Sequence, residues 1–171
     1  MSLKVSEVQR KEIAMRWFDR IIARYPPETA SFLLSQPDPF ANPVGAGLRE
    51  ELEPILFSVL DGEDPIGQES ALDRIIRVRA LQEMSPSEAV AFIVELKQVF
   101  DEVVVDNPVE QQRIFAERVD RLLLVAFDVY SRCREQVYEI RVREIRNRSL
   151  KVMERLNEWR EQRAGGPSAG S

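Results

Sequence analysis

An all-α fold is what this sequence predicts, a helical bundle of five to six helices ending in one long C-terminal helix. Three observations carry that reading. Glycine is scarce, 7 in 171 residues, while Leu, Ile, Val, Glu and Arg are plentiful, which favours helix over sheet. Apolar residues recur at helical three- and four-residue steps through most of the chain. Proline-bearing stretches punctuate those runs where helices should end and restart. With 44% hydrophobic and 31% charged residues, the chain has enough apolar material for one domain with a sizeable core.

The first helix is expected over about Ser6 to Tyr25, on Val8, Ile13, Trp17, Ile21 and Ile22. Pro26-Pro27 stops it, and Pro27 suits the first turn of a short helix near Glu28 to Ser35. "SQPDPFANPVGAGL" then reads as an ordered turn-rich loop, with Asn42 able to cap a following helix that has Pro43 at its first position. That helix should run to Leu60 and end at "DGEDP", with Pro54 inside it as a candidate kink. Another helix covers roughly Ile66 to Glu83. "SPSE" is a capping box: Ser85 accepts from the Glu88 amide and Glu88 reaches back to the Ser85 amide, with Met84 and Ala89 at the staple positions. The helix it opens carries Val90, Ile93, Val94, Leu96 and Val99 or Phe100 and should end near Asp106.

The last helix is expected from Pro108 to about Arg163, because no proline or glycine interrupts it before Gly165. Its "RLLLVAFDVY" stretch is apolar nearly all round and reads as core. Beyond it, Ala126, Tyr130, Cys133, Val137 and Ile140 step by 4-3-4-3, and so do Ile145, Ser149, Val152, Leu156 and Trp159. A step of five joins the two runs. This is either a coiled-coil-like seam with a skip or a helix packed on its own domain. The expected organisation is a regulatory domain over residues 1–130, an extended helix over 131–163 and a flexible "GGPSAGS" tail over 164–171.

Composition excludes several chemistries. The chain has no histidine, so no histidine-based triad, imidazole-ligated haem or histidine-bound zinc is available. Its single cysteine, Cys133, allows no intrachain disulfide and fits a cytoplasmic setting. No glycine-rich phosphate loop occurs, no secretory signal opens the chain and no window is apolar enough for membrane insertion. No nucleophile–base pair, metal set or cofactor motif presents itself, so an enzyme is not expected. The net charge of −5 makes nucleic acid a poor partner. That charge is uneven: Arg132 to Arg163 holds ten basic and six acidic side chains, a net of +4, which leaves −9 on the rest.

A few residues stand out as candidate contacts. Arg74 and Arg77 share a helix face and offer two guanidinium forks to an anionic ligand, while Arg79 points elsewhere. Asp73, Glu69 and Glu83 nearby offer the simpler reading, ion pairs at a helix junction. Phe40, with Asn42 in the same loop, is either a partner contact or a plug folded into the core. Cys133 is either an arginine-flanked redox thiol or a small core hydrophobe. Trp17 and Trp159 read as packing residues. The basic stretch Arg141, Arg143, Arg146, Arg148 and Lys151 is interleaved with glutamates and reads as a solvated face rather than a DNA or membrane contact. Val137, Ile140, Ile145, Val152, Leu156 and Trp159 are the candidate partner contacts of the long helix, through which a homodimer is expected.

Two stretches carry a family resemblance. "DPFANPVGAGLREELEPIL" and "LDRIIRVRALQEMSPSEAVAFIVELK" resemble the N-terminal domain of the RsbT co-antagonist RsbRD type. "RVRALQEMSPSEAV" (Arg77 to Val90) is close to that family's commonest "R(I/V)RAVQDFSPSQAV" form, with Glu83 and Met84 in place of Asp and Phe. Trp17 and the Asn42 to Gly45 loop also fit the pattern, and the likeness covers about Val8 to Phe127. The resemblance implies a helical sensory or regulatory domain of stressosome type, related to globin-like dimers without haem, acting on protein partners. Such domains often precede an output domain, whereas no STAS, kinase or DNA-binding sequence follows the long helix in these residues. The alternative it leaves open is a small-molecule or anion sensor with a pocket between helices.

Overall fold

Two helix starts, at Ser6 and at Ser85, are fixed by capping boxes. The computed structural model describes residues 3–25, 27–28, 30–31, 43–81 and 84–164. Helix α1 is Glu7–Ala23, capped by Ser6. The Ser6 hydroxyl accepts the Gln9 amide at 3.3 Å, and the Gln9 side chain accepts the Ser6 amide at 3.0 Å. This reciprocal pair satisfies two donors that the first turn leaves orphaned. Ile13, Trp17, Ile21 and Ile22 form the buried stripe as expected. Val8 does not join it; it is exposed, and the stripe starts more than a turn later.

The short helix expected near Glu28 to Ser35 falls largely outside the described residues, although residues 27, 28, 30 and 31 are helical. Helix α2 is Pro43–Asp61 and continues through the exposed Pro54. Leu52, Ile55, Leu56, Val59 and Leu60 are its buried face. Its end is built by Gly62, at φ 77, with the Gly62 and Glu63 amides both donating to the Ser58 carbonyl at 2.9 Å. A positive φ costs glycine nothing, which is why it closes the helix here. Arg118 adds a second cap, donating to the Val59 and Leu60 carbonyls at 2.9 and 2.7 Å.

The next helix starts more tightly than expected. Asp64 caps a 3-10 turn, Pro65–Gln68, and only then does α3, Glu69–Leu81, begin. Helix α4 is Pro86–Val103, and the Ser85–Glu88 capping box is present, with the Glu88 carboxylate accepting the Ser85 amide at 2.9 Å. It ends three residues before Asp106, because Val104 leaves helical geometry and buries its side chain. Val99 and Phe100 are both buried, Phe92 joins them, and Val94 is half-exposed. Helix α5 is Val109–Ala164, an unbroken run of 56 residues.

The chain divides into two units, Met1–Cys133 and Arg134–Ser171. In the first, α1 packs on α2 and α4, and α3 packs on the same two helices. Trp17 centres the core: its indole donates to the Phe92 carbonyl at 2.6 Å and its ring lies 6.0 Å from the Phe92 ring. Phe100 stacks on Phe115 at 3.8 Å. The early part of α5 contributes Phe115, Val119, Leu122, Ala126, Val129, Tyr130 and Cys133 to this core. "RLLLVAFDVY" is therefore core on one face only, since Leu124 and Phe127 are exposed. A 3.6-residue period turns successive apolar residues away from the helices that cover the others. The second unit, by itself, is helix from Arg134 to Ala164, and every side chain described between Tyr138 and Glu161 is exposed. No strand occurs among the described residues, and no helix there is long and apolar enough to cross a membrane.

Candidate functional site

The three arginines of α3 separate in the structure. Arg74 forms a two-pronged pair with Glu51 of α2, tying the helices together. Arg77 pairs with Asp73 one turn back on its own helix, at 2.9 Å. Both guanidinium groups are substantially exposed, although Glu51 is mostly covered, so each pair adds little stability. Their carboxylates hold the Arg74 and Arg77 pKa values above the usual guanidinium value, first through the hydrogen bonds themselves. Arg79 does point elsewhere. Only 2% exposed, it lies over the Phe92 ring at 4.9 Å and donates weakly to the Glu88 carbonyl at 3.5 Å. Its Nε has no hydrogen-bond partner. Burial lowers its pKa, partly opposed by Tyr25 and Glu95.

The expected junction is present, but its ties differ from those foreseen. Tyr130 of α5 donates to the Met84 carbonyl at 2.6 Å, directly beside the Ser85 cap. Arg132 pairs with Glu69 at 2.8 Å. Glu83 lies outside the described residues. A cleft of about 230 Å³ opens between Tyr25, Leu48, Glu51, Arg74, Ile75 and Val78. Its walls are mostly apolar, and its one guanidinium, that of Arg74, is already engaged by Glu51. An anion entering here must displace a carboxylate.

Cys133 is buried, with its Sγ 3.4 Å from an Asp73 carboxylate oxygen. Burial and Asp73 push the thiol pKa up, against the smaller pull of Arg77 and Arg132. A raised pKa favours the neutral thiol, in keeping with the core-hydrophobe reading rather than the redox one. Among the described residues, no group of His, Cys, Asp and Glu is placed to hold a metal ion. Phe40 and Asn42 lie outside the described residues.

The long helix is where apolar side chains stand exposed. Its two sequence runs part company. Ala126, Tyr130 and Cys133 are buried in the first unit, and Val137 is half-buried. Ile145 (65% exposed), Val152 (64%), Leu156 and Trp159 (51%) are open. The open run also extends backwards without a skip. Tyr138, Val142, Ile145, Ser149, Val152, Leu156 and Trp159 step by 4-3-4-3-4-3, and all are exposed. A 3.5-residue average period places them on one stripe. Ile140 is exposed but sits about 200° round the helix from Tyr138, on the other side. Sequence reading missed Tyr138 and Val142, although the stepping that finds them is visible without the structure. It was masked by joining the buried run to the open one.

Known proteins give a consistent picture. An uncharacterized protein of Archaeoglobus fulgidus is 25% identical over 156 residues, which cover 89% of this chain and 94% of that protein. No solved structure matches the chain. The model of the family described as the RsbT co-antagonist protein rsbRD N-terminal domain matches residues 11–145, from the second turn of α1 through α4 and the first two thirds of α5. The chain belongs to the RsbT co-antagonist protein rsbRD N-terminal domain family.

Proposed function

We propose that the protein is a non-enzymatic cytoplasmic signalling module that acts by docking protein partners on the C-terminal part of α5. One observation carries this reading. The Tyr138–Trp159 stripe exposes six apolar side chains on a single face at coiled-coil spacing, whereas the first unit buries its own apolar stripes. Scattered exposed apolar residues need no explanation, but a contiguous line of them marks an interaction surface. The family membership supports the reading, because the family takes its name from co-antagonists of another protein, a regulatory role exerted on a partner. The absence of histidine leaves few routes to acid–base chemistry at neutral pH.

The test compares the full chain with its Val152→Glu/Leu156→Glu variant. Affinity capture from the source cells should recover partners that the variant loses, while both proteins melt at the same temperature. Equal recovery by both would place docking elsewhere. A second reading, a small-molecule sensor, has the 230 Å³ cleft beside Arg74 in its favour. It predicts that a bound anion raises the melting temperature and that Arg74→Met abolishes the rise.

A further inference from the structure

The Tyr138–Trp159 stripe admits a second copy of this chain, a different helix or a lipid surface, and its flanking charges discriminate among them. Taking Val142, Ser149 and Leu156 as one seam position and Tyr138, Ile145, Val152 and Trp159 as the other fixes the flanks. On one side, at successive seven-residue steps, stand Arg141, Arg148 and Arg155. On the other stand Glu139, Arg146, Met153 and Arg160. Five arginines therefore border the apolar line and one glutamate does. The other acids, Glu144, Glu154, Glu158 and Glu161, lie on the far side of the helix. All of these side chains are exposed.

Self-pairing sets like against like. In a parallel pair the flanks meet five residues apart, so Arg141 faces Arg146 and Arg155 faces Arg160 of the second copy, while Arg134 against Glu139, before the stripe begins, is the one opposite-charge contact. In an antiparallel pair the arginine row faces itself, with Arg148 against Arg148. Facing like charges disfavour either arrangement, and the polar Ser149 weakens the centre of the seam further. The line is also narrow, widened at the flank only by Met153, since Ile140 and Leu150 stand on the far side of the helix. A helix that lies in a lipid interface carries a broad apolar arc, whereas a strict two-position seam suits another helix.

We infer that the stripe is a docking seam for a partner helix whose flanking positions are acidic. This rests on the reading of the tail as a protein-docking element and names the chemistry of what docks there. An apolar seam bordered by glutamates or aspartates would bury the Tyr138–Trp159 line and set a carboxylate against each arginine row. Pairing would be selective and salt-sensitive, because the flanks choose the partner while the seam supplies contact.

The full chain is titrated with three synthetic amphipathic helical peptides sharing a leucine seam and differing in their flanks: all Glu, all Gln or all Lys. The chain has two tryptophans, and Trp17 is already buried, so a blue shift of emission on docking reports Trp159. The Glu peptide should bind about ten-fold tighter than the Gln peptide and weaken as salt is added, and the Lys peptide should not bind. The full chain should show no tail-dependent self-association in sedimentation. The Arg141→Glu/Arg148→Glu/Arg155→Glu variant should lose the Glu peptide and gain self-association, since its new carboxylates would face Arg146 and Arg160 of a second copy. A wild-type dimer that Val152→Glu dissolves would make a second copy the occupant and overturn the inference. Trp159 docking to phosphatidylserine vesicles without binding the Glu peptide would overturn it in favour of a membrane. Equal binding of the Glu and Gln peptides would overturn the charge assignment yet leave the tail a helix-docking element. Failure of every peptide, with Val152→Glu also without effect on partner capture, would remove both readings.

Discussion

Helix α5 is one continuous element with two chemistries. Between Phe115 and Cys133 one apolar face, Phe115, Val119, Leu122, Ala126, Val129 and Cys133, is buried against neighbouring helices; between Tyr138 and Trp159 residues of the same kinds, at the same spacing, are exposed. Tyr130 is buried and donates its hydroxyl to the Met84 carbonyl, while Tyr138 is open beside Arg134. Identical periodicity thus has opposite outcomes, and the deciding factor is whether a covering element exists. The first stretch draws its stability from tertiary packing. The second gains only propensity, local pairs and propagation from a helix that is already nucleated, so its apolar line stays available to a partner.

Substitutions on either side of that boundary should separate the two regimes. Trp17→Ala removes the centre of the core and a buried hydrogen bond, and should cost about 3–5 kcal/mol in denaturant unfolding. Gly62→Ala comes next. It forces a Cβ into φ 77 and to within 2.7 Å of the Arg118 guanidinium carbon, which would have to give up its place on the Val59 and Leu60 carbonyls. A loss above about 1 kcal/mol is expected. Ser85→Ala removes the cap of α4 and should cost about 1 kcal/mol.

A smaller effect is tied to pH. Hydrogen bonds from the Ser85 hydroxyl and amide hold the Glu88 carboxyl below its usual pKa. A depressed carboxyl stabilises the fold above its unfolded pKa, about 4.3, and that contribution is lost as pH falls through the folded value. Glu88→Gln should flatten the acid side of the melting-temperature profile below that pH. Smallest of all, Trp159→Ala should leave unfolding within about 0.5 kcal/mol of the parent while impairing docking. A large loss there would mean that the tail is packed, and the contrast with Trp17 would collapse.

Much of this fold was readable from the chain because its signals are local. The Ser85–Glu88 capping box, the glycine at the end of α2 and the absence of helix breakers across α5 each act within a few residues. Ser6 and Gln9 form the same kind of box and went unread, although the pattern is visible in "SEVQ". What periodicity could not supply was direction. It identifies an apolar face but not whether anything covers it, so Ala126 and Ile145 looked equivalent. The arginines show the same limit. Their nearness to acids foretold pairing, but the partner of Arg74 proved to be Glu51, 23 residues away, and the burial of Arg79 over the Phe92 ring depends on a contact no local pattern encodes.

Amide hydrogen exchange along α5, in the full chain alone and with the Glu-flanked peptide, tests the central claim most directly. Amides over 115–133 should be strongly protected and those over 138–160 should exchange much faster, independent of protein concentration, with the peptide slowing only the second group. Equal protection of both stretches in the free chain, or protection of the tail that rises with protein concentration, would show the stripe to be covered already and would contradict the account.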